Sequence, residues 1–467
     1  MSVFSKVTIQ SLRKNKLRTA VTIIGIVLSA AMICAVTTFA SSIQNFALEN
    51  AIYYDGNWHG KVETADYSEY KNFLDEKSLE TVYYAQQLGY AKVDSKNEYK
   101  PYLYVLGVDE GFRESMPLHL TEGRLPETSA EIVLPEHLAE NGELVYRLGD
   151  SLTLKLGERM SEGYALGQNN PCFGYDENGV SYLLPEDIVE RETVTYTVVG
   201  FYERPSFEEY SAPGYTAITI AEEDAKESYK YDVYFRMNNP KQLYSFMEDN
   251  KIDGSSNRDV LMLSGASGHA SFYAVLYGLA GVIIALIMFG SISLIYNAFS
   301  ISVSERTKQF GLLSSIGATK KQLRKMVFFE ALVVSAVGIP VGVLAGVGGI
   351  GITLHFVGDM MSDLEEIPLR LCVSAGAIIV ACIISLVTVL ISAWIPSNRA
   401  TRGSAIEAIR QTTDIKAKAK DVKTSKLVYK LFGFPGMLAN KHYKRNRKKY
   451  RIQMIRHRDL VAIFVPA

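Results

Sequence analysis

The chain has 467 residues, 48% hydrophobic and 21% charged, with a formal net charge of −1. Its four cysteines exclude a disulfide framework, because Cys34, Cys372 and Cys382 fall in long apolar stretches and only Cys172 lies elsewhere. The neutral total hides a division: residues 49–270 hold 40 acidic and 19 basic residues, a net of −21, and the rest holds 10 acidic and 30 basic, a net of +20.

In chain order, four windows are free of charge: Arg18 to Glu49, Asp259 to Glu305, Glu330 to Asp359, and Arg370 to Arg399. Their apolar cores, at 20–38, 272–295, 331–351 and 371–394, run about 20 residues each, enough to cross about 30 Å of hydrocarbon. One Lys, Arg or Asp at such a centre costs about 2.5–3.5 kcal/mol, so four clean windows predict four spans. The expected fold is an α-helical membrane protein with four transmembrane helices and a large extracytoplasmic α+β domain between the first and second. The first uncharged stretch is too long for a signal-peptide core and reads as a retained anchor.

Flanking charge predicts the orientation. Arg13, Lys14, Lys16 and Arg18 precede the first span, Arg306, Lys308, Lys320, Lys321, Arg324 and Lys325 separate the second from the third, and Arg399, Arg402 and Arg410 follow the fourth. Asp359, Asp363, Glu365 and Glu366 lie between the third and fourth. The positive-inside rule then places both termini in the cytoplasm of a multi-pass cell-membrane protein, with 49–270 outside. Expected boundaries are 1–48 for the N-terminus and first helix, 49–270 for the outer domain, 271–410 for three further helices with an inner loop at 303–325, and 411–467 for a basic cytoplasmic tail.

The insert is long enough to bury its own core. Alternation predicts strands at 103–108, 151–156 and 193–199, a strand at 131–134 leading into a helical 136–140, and a strand at 215–220 before a helical 221–228. The insert also holds 22 of the 28 tyrosines, read as strand packing rather than a ligand surface. Its acidity suits solubility, with attraction of a cationic ligand as the alternative.

Between the second and third spans, Gly311 and Gly317 punctuate a short amphipathic stretch in which Phe310, Leu313 and Ile316 keep near-helical spacing. Thr319 and Gln322 then have capping-box spacing. A short helix across the inner membrane face would dock a cytosolic partner or rest on anionic membrane lipid. The segment Glu305-Arg306, Phe310-Gly311-Leu312-Leu313, Ile316-Gly317-Ala318-Thr319 and Glu330-Ala331-Leu332 resembles the FtsX/MacB-like family of ABC transporter permeases. Pro396-Ser397-Asn398-Arg399-Ala400 with 406–410 is similar to the same family, and Gly123–Pro126, 131–134 and Val198–Gly200 match it more weakly. The resemblance implies that the loop, with Glu305, Arg306, Phe310, Gly311, Leu313, Ile316 and Gly317, contacts a separate cytosolic ABC ATPase. It also implies a second permease copy or a second repeat.

Gly338, Gly342 and Gly346 recur every four residues in the third span, a spacing that lets helices approach closely, within the chain or across a dimer. The sequence holds no G-x-x-x-x-G-K-[ST], no H-E-x-x-H and no G-x-S-x-G, and its seven histidines are scattered. The chain is therefore expected to be no enzyme, to need no cofactor or metal, and to bind no nucleic acid. Near the end, His442 to Lys449 echoes Ser11 to Arg18, but Arg456, His457, Arg458 and Asp459 interrupt where a span should follow. This reads as the truncated start of a second repeat, or as a basic tail at the membrane surface. The functional expectation is the permease subunit of an ABC transporter. The alternative is a mechanotransmitting subunit that activates an external enzyme or senses a peptide without transport.

Overall fold

The computed structural model describes residues 3–222, 229–266, 271–361 and 367–400, with 433–435, 437, 438 and 441. The expectations for 223–228, 363–366, 402–410 and the tail echo lie outside the described residues. Two compact units divide the chain, one from Met1–Thr22, Ile292–Val334 and Val389–Ala467, the other from Ile23–Ser291 and Ser335–Thr388.

A short helix α1 (Val3–Lys14) breaks at Asn15 before the long α2 (Lys16–Asp55). The insert then runs β1 (Gly60–Ala65), α3 (Tyr67–Leu74), β2 (Leu79–Lys92), β3 (Tyr102–Val108), α4 (Glu110–Ser115), β4 (Leu120–Gly123), β5 (Glu131–Pro135) and α5 (His137–Gly142). It continues through β6 (Ser151–Ser161), β7 (Tyr164–Leu166), β8 (Phe173–Tyr175), β9 (Ser181–Leu183), β10 (Asp187–Tyr202), β11 (Gly214–Ile220), β12 (Lys230–Met237), α6 (Leu243–Asp249), β13 (Ser255–Ser256) and α7 (Arg258–Leu263). Three long helices follow, α8 (Ser271–Glu305), α10 (Lys320–Met361) and α11 (Ala375–Ala400), with the short α9 (Thr307–Ser315) after α8. With α2, these three long helices are long and apolar enough to cross a membrane.

The fourth helix starts later than its apolar sequence suggests. The apolar run opens at Leu371, yet α11 begins only at Ala375, and 368–374 has no regular structure. Ser42 explains how this backbone is held, since its hydroxyl accepts from Cys372 N at 3.0 Å while Ser41 Oγ donates to Cys372 O at 3.0 Å. By contrast, α10 starts earlier than the apolar core at 331 and continues through Pro340.

The insert is an α+β domain around an 11-stranded sheet ordered β13-β1-β12-β2-β3-β11-β5-β10-β6-β7, with β4 also on β10. β3 with β11 and β5 with β10 run parallel, whereas the other ladders are antiparallel. Central strands are apolar throughout because both faces are covered. Leu103 and Val105 of β3 enter one buried cluster, and Tyr102, Tyr104, Leu106 and Val108 enter another. Tyrosines stack across strands in the second cluster, Tyr83 on Tyr234 at 5.7 Å and Tyr90 on Tyr104 at 4.6 Å between centroids. The scattered outer motifs also meet, with Gly123 opposite Gly200 and Ile132 opposite Val198.

One buried carboxylate anchors the return from β10 to β11. Glu208 Oε1 accepts from Lys100 Nζ at 2.7 Å and pairs with His137 Nε2 at 2.9 Å, and Oε2 accepts from Thr216 N at 2.6 Å. Arg204 Nε adds a second cation at 3.6 Å. Burial alone would raise the pKa of this group, but the bonds from His137 and Lys100 outweigh it and hold the pKa at about 2.

Candidate functional site

The inner loop is built from the end of α8 through the start of α10. At Arg306 the chain leaves α8, and α9 follows at once, its amide at Phe310 donating to Arg306 O at 2.9 Å. Ser315 ends α9 with a Schellman closure: Ala318 N donates to Leu313 O at 2.9 Å and Gly317 N to Ser314 O at 3.2 Å. Gly317 has φ +102, a conformation that disfavours any side chain, so a glycine is required there. Thr319 then opens α10 as anticipated, accepting from Gln322 N at 3.3 Å while Gln322 Oε1 accepts from Thr319 N at 2.8 Å.

Beneath this loop lies an ion pair that spacing alone did not reveal. Arg306 Nη1 donates to Glu330 Oε2 at 2.5 Å, and Ser302 Oγ donates to Glu330 Oε1 at 3.1 Å. Both charged side chains are about 95% buried, at 4% and 5% exposure. A lone carboxylate in that setting would be prohibitive, so the arginine is what allows Glu330 to sit inside α10. Arg306 Nε and Nη2 are nevertheless buried without a hydrogen-bond partner among the described residues. Glu305, one residue earlier, meets Arg18 Nη1 at 2.9 Å. The clue in the sequence was Glu330 itself, an acid at the lip of an apolar window.

The structure separates residues that the sequence grouped. Phe310 is 3% exposed and Gly311 is also buried, so both belong to the packing under α9. Leu313 is half-buried, whereas Ile316 is 81% exposed and Leu312 is 51% exposed. The single apolar face expected from Phe310, Leu313 and Ile316 is thus divided. Phe310 holds the helix down, and Leu312 with Ile316 forms the outward apolar edge. Nor does Gly311 punctuate anything, because α9 runs through it; buried at that point, it gives up about 1 kcal/mol of helix propensity for close packing.

Gly338, Gly342 and Gly346 of α10 lie against α2. A Cβ on Gly338 would come within 2.8 Å of Ile26 Cγ2, one on Gly342 within 2.6 Å of Ala30 Cβ, and one on Gly346 within 2.6 Å of Ala31 O. These glycines therefore serve a close crossing of two helices of the same chain. Among the described residues no group of three or more His, Cys, Asp or Glu could hold a metal ion.

A family model described as the FtsX-like permease C-terminal domain matches residues 281–405, and one described as the MacB-like periplasmic core domain matches 19–246. The chain belongs to the FtsX/MacB-like family of ABC transporter permeases. Among its relatives, the ABC transporter permease YvrN of Bacillus subtilis is 23% identical over 320 residues, covering 66% of this chain and 70% of its own. YknZ of the same organism, also an ABC transporter permease, is 26% identical over 171 residues, 36% of this chain and 40% of its own. The macrolide export ATP-binding/permease protein MacB of Burkholderia lata is 29% identical over 115 residues, 25% of this chain and 15% of its own. This permease therefore shares only a small part of the length of that larger protein.

Proposed function

We propose that this permease is the membrane subunit of an ABC transporter, driven by a separate cytosolic ATPase that docks on α9. With a second permease copy or a second repeat, it would couple ATP hydrolysis to export or handling of a substrate at the inserted domain. In this reading both termini and α9 are cytoplasmic and 49–270 is outside, which is what the alternation of basic and acidic flanks supports.

The observation that carries the docking claim is the exposed pair Leu312 and Ile316 on a helix fixed at both ends. Exposed apolar residues on a short helix gain little unless a partner covers them. The Schellman closure and the Thr319 cap hold that edge in one geometry, which lowers the ordering cost of binding.

Leu312→Asp with Ile316→Asp is expected to abolish co-purification with the ATPase while membrane levels stay normal. Burying two unpaired carboxylates costs several kcal/mol, against about 8 kcal/mol for a micromolar complex. Unchanged co-purification would refute the dock, and altered membrane association alone would assign α9 to lipid. Orientation is checked separately by cysteine labelling of intact cells, with a site at Asp176 expected to react and one at Lys320 to stay silent. An ATP-dependent flux assay then separates transport from mechanical signalling.

A further inference from the structure

Where α2, α8 and the irregular segment leading into α11 meet, they line a half-open cavity of about 540 Å³. Its polar wall comes from Ser41, Gln44 and Asn45 of α2, Tyr277 of α8 and Ser374; Gly281, Ile284 and Val380 supply apolar surface. We propose that this cavity binds an amphipathic molecule with an uncharged, hydrogen-bonding head and an apolar chain. The assignment does not depend on whether α9 engages an ATPase.

Three observations support it. First, the cavity lies within the apolar windows of helices long enough to cross a membrane, and its volume matches small-molecule sites of about 300–1,000 Å³. Second, the non-helical backbone at 368–374 borders it, fixed to Ser41 and Ser42 through Cys372. Irregular backbone beside apolar helices is tolerated where it lines a cavity. Third, the lining has a chemical character. Every lining residue is uncharged, while hydroxyl and amide groups cluster on one side, with Tyr277 Oη donating to Gln44 Oε1 at 2.6 Å. An ionic head would lose its hydration there without a counter-charge, whereas a hydroxyl or amide head exchanges water for these groups.

Such a molecule has two sources, the bilayer itself or a cargo entering from it. The test uses the purified full chain in detergent micelles with two photoactivatable probes of equal chain length, a monoacylglycerol and a fatty acid. The monoacylglycerol is expected to label peptides containing Gln44 or Tyr277, in preference to the fatty acid. Gly281→Trp fills the cavity, since a Cβ on Gly281 meets nothing within 4 Å. It should cut that labelling about tenfold, which corresponds to about 1.4 kcal/mol of binding. Gly290→Trp is the control: its Cβ position is equally free, but it lies nine residues along α8 and outside the lining. Equal labelling by both probes, equal labelling of Gly281→Trp, or equal loss in both tryptophan variants would overturn the assignment. If labelling behaves as expected, mass spectrometry of extracted lipid identifies the source. An uncharged lipid that co-purifies with the wild type and is lost in Gly281→Trp assigns the site to the bilayer; its absence assigns the site to cargo.

Discussion

Glu208 in the inserted domain and Glu330 in α10 are both buried carboxylates, yet they are satisfied to different degrees. Glu208 faces two cations, the His137 imidazole and a backbone amide, with both oxygens used. Glu330 faces one arginine and one hydroxyl, and that arginine keeps two donors unpaired. A fully bonded buried ion is expensive to disturb in any direction. An under-bonded one holds its geometry at lower cost and is the more readily rearranged. The difference fits the roles proposed here, a fixed corner in the β-rich domain and a coupling segment that must respond to an ATPase.

The largest expected effect tests that contrast directly. Glu208→Ala leaves Lys100 and Arg204 without their counter-ion and should cost about 3–5 kcal/mol of domain stability. Glu330→Ala strands a single arginine and should fall at the lower end of that range, about 3 kcal/mol. Replacing the pair, with Arg306→Met and Glu330→Leu, should recover most of that loss, because buried ion pairs are often matched by apolar isosteres. Urea unfolding of the full chain in detergent ranks the variants. If Glu330→Ala proves costlier than Glu208→Ala, the contrast is wrong. Acid should act on Glu208 too: its folded pKa is depressed to about 2, so its stabilisation is present above about pH 4.3 and is lost as pH falls toward 2.

A third buried group, uncharged when folded, sharpens the comparison. His59 is buried in the inserted domain, and its Nδ1 accepts from Met237 N at 2.9 Å. Burial, assisted by Arg236, lowers its pKa to about 4. Between pH 6.5 and 4 the unfolded chain takes up a proton that the folded one refuses, so stability falls with pH across that window, by up to about 3 kcal/mol. His59→Asn keeps an acceptor for Met237 and should flatten this dependence. An unaltered pH profile in the variant would show that another group titrates.

Much of this was legible beforehand, and the reasons differ by region. Uninterrupted apolar windows marked all four long helices, because a bilayer admits few other sequences. Strands at 103–108, 131–134, 151–156, 193–199 and 215–220 each fall within an observed strand, 151–156 and 193–199 through two-residue alternation and the others as short apolar runs buried on both faces. The loop chemistry at Gly317 and Thr319 was local and therefore readable. What escaped was long-range. Lys100 and Glu208 are 108 positions apart, Ser302 and Glu330 are 28 apart, and no local pattern announces either contact. The burial of Phe310 escaped for a similar reason, because helical spacing gives the face of a residue but not what lies against it.

The smallest expected effect is the most specific to the coupling segment. Ser302 donates to Glu330 Oε1 at 3.1 Å, supporting the oxygen that Arg306 Nη1 does not bond. Ser302→Ala removes that donor without adding volume, and a hydrogen bond to a charged acceptor contributes about 1.5–3 kcal/mol. Rearrangement should recover part of this, because Arg306 has two unused donors that can turn toward the freed oxygen; the net loss should be about 1 kcal/mol. The same substitution with Arg306→Lys removes that reserve, since a point-like ammonium cannot span both carboxylate oxygens as a planar guanidinium does. The double variant should then lose clearly more than the two single losses added together. A double-mutant cycle by urea unfolding measures the excess, and simple additivity would mean that the unpaired donors of Arg306 hold nothing in reserve.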